Sequence, residues 1–270
     1  MLDDVLNNAP AFLLATVRCF ALLMTLPLFS MRNVPTVARL ALALYMSYIV
    51  LPQVDYSAYG AAMYADALFT MQFFLLLAGE ALLGIITGFF VSIIFSAFST
   101  AGQFFAFQMG FSASEVYDAL SQVENPLMGQ YLNLIAMLIF MQTRWFQKLF
   151  LGALVSSFKT LNAFSIVRDM QGGVLVQTMT RSLSTLFANA LVIALPVMGT
   201  LMLITISVGI LSKAAPQMNL LSEGFPVMIL TAFFILTALM PSMIDAFTRG
   251  FEAGFARLGQ LLLELGGRRI

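Results

Sequence analysis

Histidine is absent from the chain. That single absence removes Ser-His-Asp and Cys-His triads, HExxH zinc sites and histidine proton shuttles. Cysteine occurs once, as Cys19, so neither an intrachain disulfide nor a cysteine-built metal site is available. No GxxxxGK[ST] loop is present, which argues against a Walker-type nucleotide site. Charge is scarce as well. Asp, Glu, Lys and Arg make up 10% of the 270 residues, with 13 basic and 13 acidic side chains and a formal net charge of zero. A balanced chain has no global field to attract nucleic acid, and none is expected as a partner. The remaining carboxylates, serines and lysines form no catalytic pairing, so no enzyme activity, cofactor or metal is expected. The opening residues, MLDDVLNN, lack the basic n-region of a secretory signal, and the first apolar segment is expected to be retained.

What fills the chain is apolar. Hydrophobic residues make up 60% of it, and the mean hydropathy is +0.93. Soluble domains carry roughly 25% charged and 45–50% apolar residues. This sequence cannot clothe a water-facing surface, and the expectation is an all-α, polytopic membrane-type protein with long hairpin helices. Residues 81–114, 125–143, 182–212 and 224–244 carry no charge at all. About 20 helical residues cross a ~30 Å hydrocarbon core, so each run is about long enough or longer. Residues 9–29, interrupted by Arg18, and 37–52 are two shorter apolar segments, giving six in all.

Two features argue against six plain spans. As one helix, residues 68–100 would be ~50 Å long at ~1.5 Å per residue, so the stretch must tilt, break or project beyond the bilayer. The charges also disagree about orientation. Arg32 and Arg39 suggest a cytoplasmic first connection, and Asp55 and Asp66 suggest the opposite for the second. Six alternating spans would then put Arg249, Arg257, Arg268 and Arg269 outside. The favoured reading is that the helices are not individually threaded through lipid. Pro and Gly mark bends at 27–35, 52–60, 172–173 and 216–226. Gly172-Gly173 divides an N-terminal part, 1–172, from a C-terminal helix-pair part, 173–270, with helices expected near 181–212 and 227–265.

Several constellations stand out. Gly84, Gly88, Ser92, Ser96 and Thr100 recur every four residues and form one stripe of small side chains, the pattern that lets membrane helices approach closely. Glu80 sits one turn before them; a carboxylate in an apolar helix faces a partner or a water-filled path, so its plain role is a structural ion pair or a helix-end position and its sharper one is proton or ion coupling. Residues 101–126 combine Phe104, Phe105, Phe107 and Phe111 with Gly102, Gly110 and the acids Glu115, Asp118 and Glu124, ending at Pro126. Such a segment suits a loop or re-entrant element, tolerated at membrane depth only beside protein or an aqueous cavity. Near the C-terminus, Phe247, Phe251, Phe255, Leu258, Leu262 and Leu265 draw an apolar helical line. Asp245, Arg249 and Glu252 lie at i,i+4 and i,i+3 spacing, either as a solvated face or as an intersubunit contact.

The stretches RNVPTVARLALAL, GEALLGIITGFF, TAGQFFAFQMGFS, ALPVMG and VGILSKAAPQMNLLSEGFPVMI keep their order across nearly the whole chain. In them the sequence resembles the FliR family of flagellar biosynthetic proteins, export-gate components of the bacterial type III secretion apparatus, and their injectisome counterparts. The resemblance implies a subunit packed with other membrane proteins in a helical hetero-oligomeric gate. Such a gate is raised largely out of the bilayer plane and passes unfolded secreted proteins through its centre. It implies the inner membrane, contact with membrane lipid, and the flagellar basal body. The C-terminal helix pair would imitate a smaller partner subunit. The segment equivalent to 108–126 would plug the pore, which makes Phe107, Gln108, Met109, Gly110, Phe111, Ser112, Asp118 and Pro126 gate candidates. Glu80, Asp245, Arg249 and Glu252 become candidates for intersubunit charge contacts. The chain departs from the family at Asp118-Ala119, where Asp-Pro is frequent, and at Arg144-Trp145-Phe146, where flagellar members often read Asn-Gly-His. The competing reading is a small-solute secondary transporter, whose inverted repeats and midplane polar sites are not visible here. A purely structural scaffold would need no acidic, glycine-bearing apolar loop.

Overall fold

The computed structural model describes residues 8–30, 34–53, 59, 70–110, 127–163, 173–214 and 220–266. Every regular element among these is helical. α1 (Ala9–Thr25) carries Pro10 in its first turn, where the missing N–H would have had no partner anyway. It ends at Leu26, which is extended, as the residue before a proline is forced to be. The short helix Pro27–Ser30 follows, and α2 (Thr36–Val50) begins behind Pro35. α3 (Met71–Gln108) is one helix of 38 residues. Its length of ~57 Å at ~1.5 Å per residue is nearly twice a ~30 Å hydrocarbon core. α4 (Leu127–Gln142) is followed by a helical run made of Trp145–Gln147, a π-helical turn Lys148–Leu154 and α5 (Val155–Thr160).

The last two helices, α6 (Val174–Ala214) and α7 (Leu220–Leu265), are longer than the sequence suggests. Pro226, expected within a bend, lies inside α7, as does Pro241, and Pro196 lies inside α6. In water an interior proline breaks a helix at a cost of ~3 kcal/mol. Among apolar surroundings an unfolded turn would strand backbone groups without water, so the helix continues. α3, α6 and α7 are each long and apolar enough to cross a membrane. The chain is an all-α polytopic membrane protein.

The chain forms two compact units, 1–93 with 144–182 and 252–270, and 94–143 with 183–251. In the first, α1 packs on α2, and Leu14, Ala15, Cys19, Leu22 and Leu23 are fully buried. The second has an aromatic centre. Phe95 lies 5.2 Å from Phe140 and 5.1 Å from Phe251 between ring centroids, and Phe98 lies 4.3 Å from Phe247. Each such tilted pair contributes about 0.5–1.5 kcal/mol beyond its buried area. α6 buries one narrow line, Leu186, Ala190, Ala194, Val197 and Leu201. Most of its other apolar residues are exposed, among them Phe187, Val192, Met202, Leu203 and Ile210; on α7, Leu230 and Phe234 are exposed too. Only 17% of the most apolar window of each of these two helices is buried, against 61% for α3. Those faces are left for lipid or for other proteins.

Candidate functional site

The most tightly held polar group in the described residues is one the sequence reading did not assemble. Arg18, on α1, is 1% exposed, and Glu80, on α3, is fully buried. Arg18 Nε donates to Glu80 Oε2 at 2.5 Å. The other guanidinium nitrogens donate to Ser157 Oγ at 3.2 Å and to the Leu161 carbonyl at 3.1 Å. The face of the guanidinium lies 4.0 Å from the Phe158 ring centroid. Tyr59 donates its hydroxyl to Glu80 Oε1 and accepts the Ala163 backbone N–H at 3.0 Å. Burial, and next the neighbouring Glu80 carboxylate, push the Tyr59 phenol up from its ordinary value, so it stays protonated and able to donate. A buried ion costs several kcal/mol to desolvate, and only a well-satisfied partner set offsets that. Here both ions have one. The cluster pins α1, α3 and the 155–163 region to one another.

Glycines bring the helices close enough for that pinning. A Cβ at Gly79 would lie 2.5 Å from Ala163 Cβ. A Cβ at Gly84 would meet the Arg18 carbonyl oxygen, with Ala21 Cβ at 2.9 Å. At Gly88 it would meet Thr25 Oγ1, with the Leu22 carbonyl at 2.8 Å. The first two members of the small-residue stripe thus lie against α1 of the same chain, while Ser92, Ser96 and Thr100 are half-buried further along α3. A second close approach lies further along α3. A Cβ at Gly102 would be 2.5 Å from the Met128 carbonyl, and one at Gly129 would be 3.0 Å from the Ser99 carbonyl. The period of four misses Gly102, which falls two residues past Thr100.

Of the gate candidates, Phe111, Ser112, Asp118 and Pro126 lie outside the described residues. The rest end α3. Met109 is fully buried, Phe107 is 73% exposed, and Gln108 is half-buried. Gly110 has φ of 83°, the left-handed region that favours glycine, and its N–H meets the Phe107 carbonyl at 3.2 Å. Glu80, a candidate both for a structural pair and for an intersubunit contact, has its partners Arg18 and Tyr59 within the chain. Asp245, Arg249 and Glu252 are exposed on α7. The apolar line of α7 buries Phe247, Phe251, Leu258, Leu262 and Leu265, with Phe255 half-buried.

The sequence signal for the cluster was available: Arg18 and Glu80 are single opposite charges, each alone in an apolar run. Tyr59 and Ser157 carried none.

A profile of the bacterial export proteins, family 1, matches residues 9–254. The chain belongs to that family. Similar proteins within it extend over most of the length. One is flagellar biosynthetic protein FliR of Bacillus subtilis, 28% identical over 266 residues, covering 98% of this chain and 99% of the relative. FliR of Borreliella burgdorferi is 31% identical over 192 residues, 71% of each chain. FliR of Escherichia coli is 28% identical over 251 residues, covering 92% of this chain and 91% of the relative. The matched family region 9–254 contains the Arg18–Glu80 cluster, the Gly84–Gly88 approach and Gly110 alike.

Proposed function

We propose that the chain is a subunit of a bacterial flagellar type III protein export gate. With other membrane subunits it encloses a path for unfolded proteins through the inner membrane at the flagellar basal body. The observation that carries this reading is the likeness to export proteins over residues 9–254, with relatives named as flagellar biosynthetic proteins. The bare apolar faces of α6 and α7 leave room for the neighbouring subunits of a hetero-oligomer. In this reading residues 1–172 carry the gate segment 101–126, and residues 173–270 act as a helix pair towards neighbouring subunits. The chain conducts protein and performs no bond chemistry.

A conduit wide enough for polypeptide has to exclude ions at rest, because an open aqueous path would dissipate the membrane potential. Apolar constrictions do this by dewetting. In this reading Phe107, which is exposed, and Phe111 supply apolar surface, Met109 is buried, and Gly110 supplies the left-handed turn by which the chain leaves α3. The segment 108–126 is therefore read as the closure. Replacing Gly110 by Asp, or deleting residues 110–114, is expected to make the assembled complex leak small ions while assembly persists. The measurement is membrane conductance in cells whose complex has been verified intact. Tight membranes with normal export would reduce the segment to a connection.

A further inference from the structure

The helical run 145–160 contains the π-helical turn Lys148–Leu154. Bonds in such a turn join residues five apart instead of four, so it holds one spare residue. The buried side chains follow that spacing: Leu149 and Phe150 are buried, and so are Leu154 and Val155, five positions on. An α-helix would bury residues three or four apart. Gly152 sits in the turn, exposed, and among the described residues a Cβ there would meet no atom within 4 Å. Both ends of the run are broken. Arg144 precedes it with φ of 58°, strained for a residue other than glycine, and Leu161 follows it in extended backbone, with φ of −123° and ψ of 138°. A turn of the run about its own axis therefore drags no long helix with it.

Relaxing the π turn to α-helix would move every later residue of the run back by one place, a rotation of ~100° with a shift of ~1.5 Å. Ser156, now exposed, would take the place of the buried Ser157, Ser157 that of Phe158, and Phe158 that of the exposed Lys159. The sequence suits the first exchange, because a serine hydroxyl then faces Arg18 in both registers. Other contacts select the observed register. The Phe158 ring lies against the Arg18 guanidinium, 4.0 Å from the ring centroid. Ala163 donates its N–H to the Tyr59 hydroxyl and presents only a methyl group to Gly79. The turned run gives up the ring contact and draws Ala163 out of that place.

We propose that the 145–160 run is a two-register element, with the π turn as its spare residue and the contacts of Arg18, Tyr59 and Phe158 as the latch that selects one register. This goes beyond the gate reading and does not rest on it. A partner that held the Phe158 ring at the outer face would draw the run into the second register, as far as it preferred that state. The test moves the latch pattern by one residue. Residues 157–159 read Ser-Phe-Lys, and Ser157→Phe with Phe158→Lys writes the same pattern at 156–158. The full chain is used with whatever membrane subunits accompany it, and Cys19→Ala removes the native thiol. Ser156→Cys then reports the register through its rate of maleimide labelling. With the native pattern the new thiol stands at an exposed place. With the moved pattern it is expected to enter the buried place of Ser157 and to label more than about tenfold more slowly, the fold being retained. Deleting Gly152 removes the spare residue, so the native pattern is expected to keep its register, its fast labelling and its thermal midpoint. Deleting Leu134, also exposed but in the unbroken α4, is expected to lower the midpoint, since an α-helix has no residue to spare. Equal labelling with the two patterns, or loss of the fold with the moved one, would overturn the proposal, because either result means that no second register exists. So would a deletion of Gly152 as damaging as that of Leu134.

Discussion

Removing one ion of the Arg18–Glu80 pair is the sharpest perturbation the fold offers. Glu80→Gln keeps the shape of the side chain and leaves the guanidinium, 1% exposed, without a counter-ion. Among the described residues, Arg18→Met leaves the carboxylate with Tyr59 alone and strips Ser157 Oγ and the Leu161 carbonyl of a donor. Breaking a buried pair in this way costs about 3–5 kcal/mol. At roughly 2–4 °C per kcal/mol for a chain of this size, either single variant is expected to lower the thermal midpoint by about 6–20 °C. Replacing both ions by apolar groups is a different matter, because no bare charge then remains and such swaps are often close to neutral. Arg18→Met combined with Glu80→Leu should therefore recover much of the loss, although the Leu161 carbonyl stays without its donor. The assay is thermal inactivation of a fluorescently tagged chain followed by size-exclusion chromatography, run as a double-mutant cycle. Additive losses, with the double variant as unstable as the sum of the singles, would refute the pairing as the source of the effect.

Close helix approach makes a second prediction: Gly84→Ala is expected to cost about 1–3 kcal/mol, since its Cβ would meet backbone at Arg18 and Leu22. Gly199→Ala, with nothing within 4 Å, serves as its neutral control in the same assay. Arg144 is held at φ of 58°, a conformation costing a non-glycine residue about 1–2 kcal/mol. Arg144→Gly is accordingly expected to raise the thermal midpoint, and a fall would show that the arginine side chain contributes more than the strain removes. Arg249→Glu is expected to weaken assembly or export more than Arg268→Glu, because reversal puts like charges beside Asp245 and Glu252. An exposed pair contributes only about 0.3–0.5 kcal/mol, so a large loss on co-purification would reveal a contact buried between subunits, and equal small effects would mark a solvated face.

The helical, membrane-type fold was legible because both signals behind it are local. Charge-free runs delimit four of the apolar segments, a single arginine interrupts each of the other two, and all six correspond to helices: α1, α2, α3, α4, α6 and α7. The starts of α6 and α7 were not legible, and for α7 the reason is that proline was read by its behaviour in water, where Pro226 would stop a helix; its end at Leu265 was read correctly. The apolar line from Phe247 to Leu265 could be read from spacing, but its ring partners Phe95, Phe98 and Phe140 could not, since no periodicity relates separate helices. The same limit hid the Arg18–Glu80 pair: 62 residues separate the two, and only packing of α1 on α3 brings them together. Gly84 and Gly88 announced a close approach without naming what approached. For the gate, Gly110 and the start of its segment are in view at the end of α3, and the remainder of that candidate rests on resemblance and on the conductance experiment.

The membership of a hetero-oligomeric export gate is tested most directly by the mass of the particle that holds the chain. The chain should be tagged in its own bacterium, extracted in mild detergent, and weighed by native mass spectrometry with its companions identified. A single particle several times heavier than the 29.6 kDa chain, containing other membrane proteins in fixed ratio, is the predicted result. A well-behaved monomer, or a particle made only of copies of this chain, would contradict the account and return the solute-transporter reading to first place.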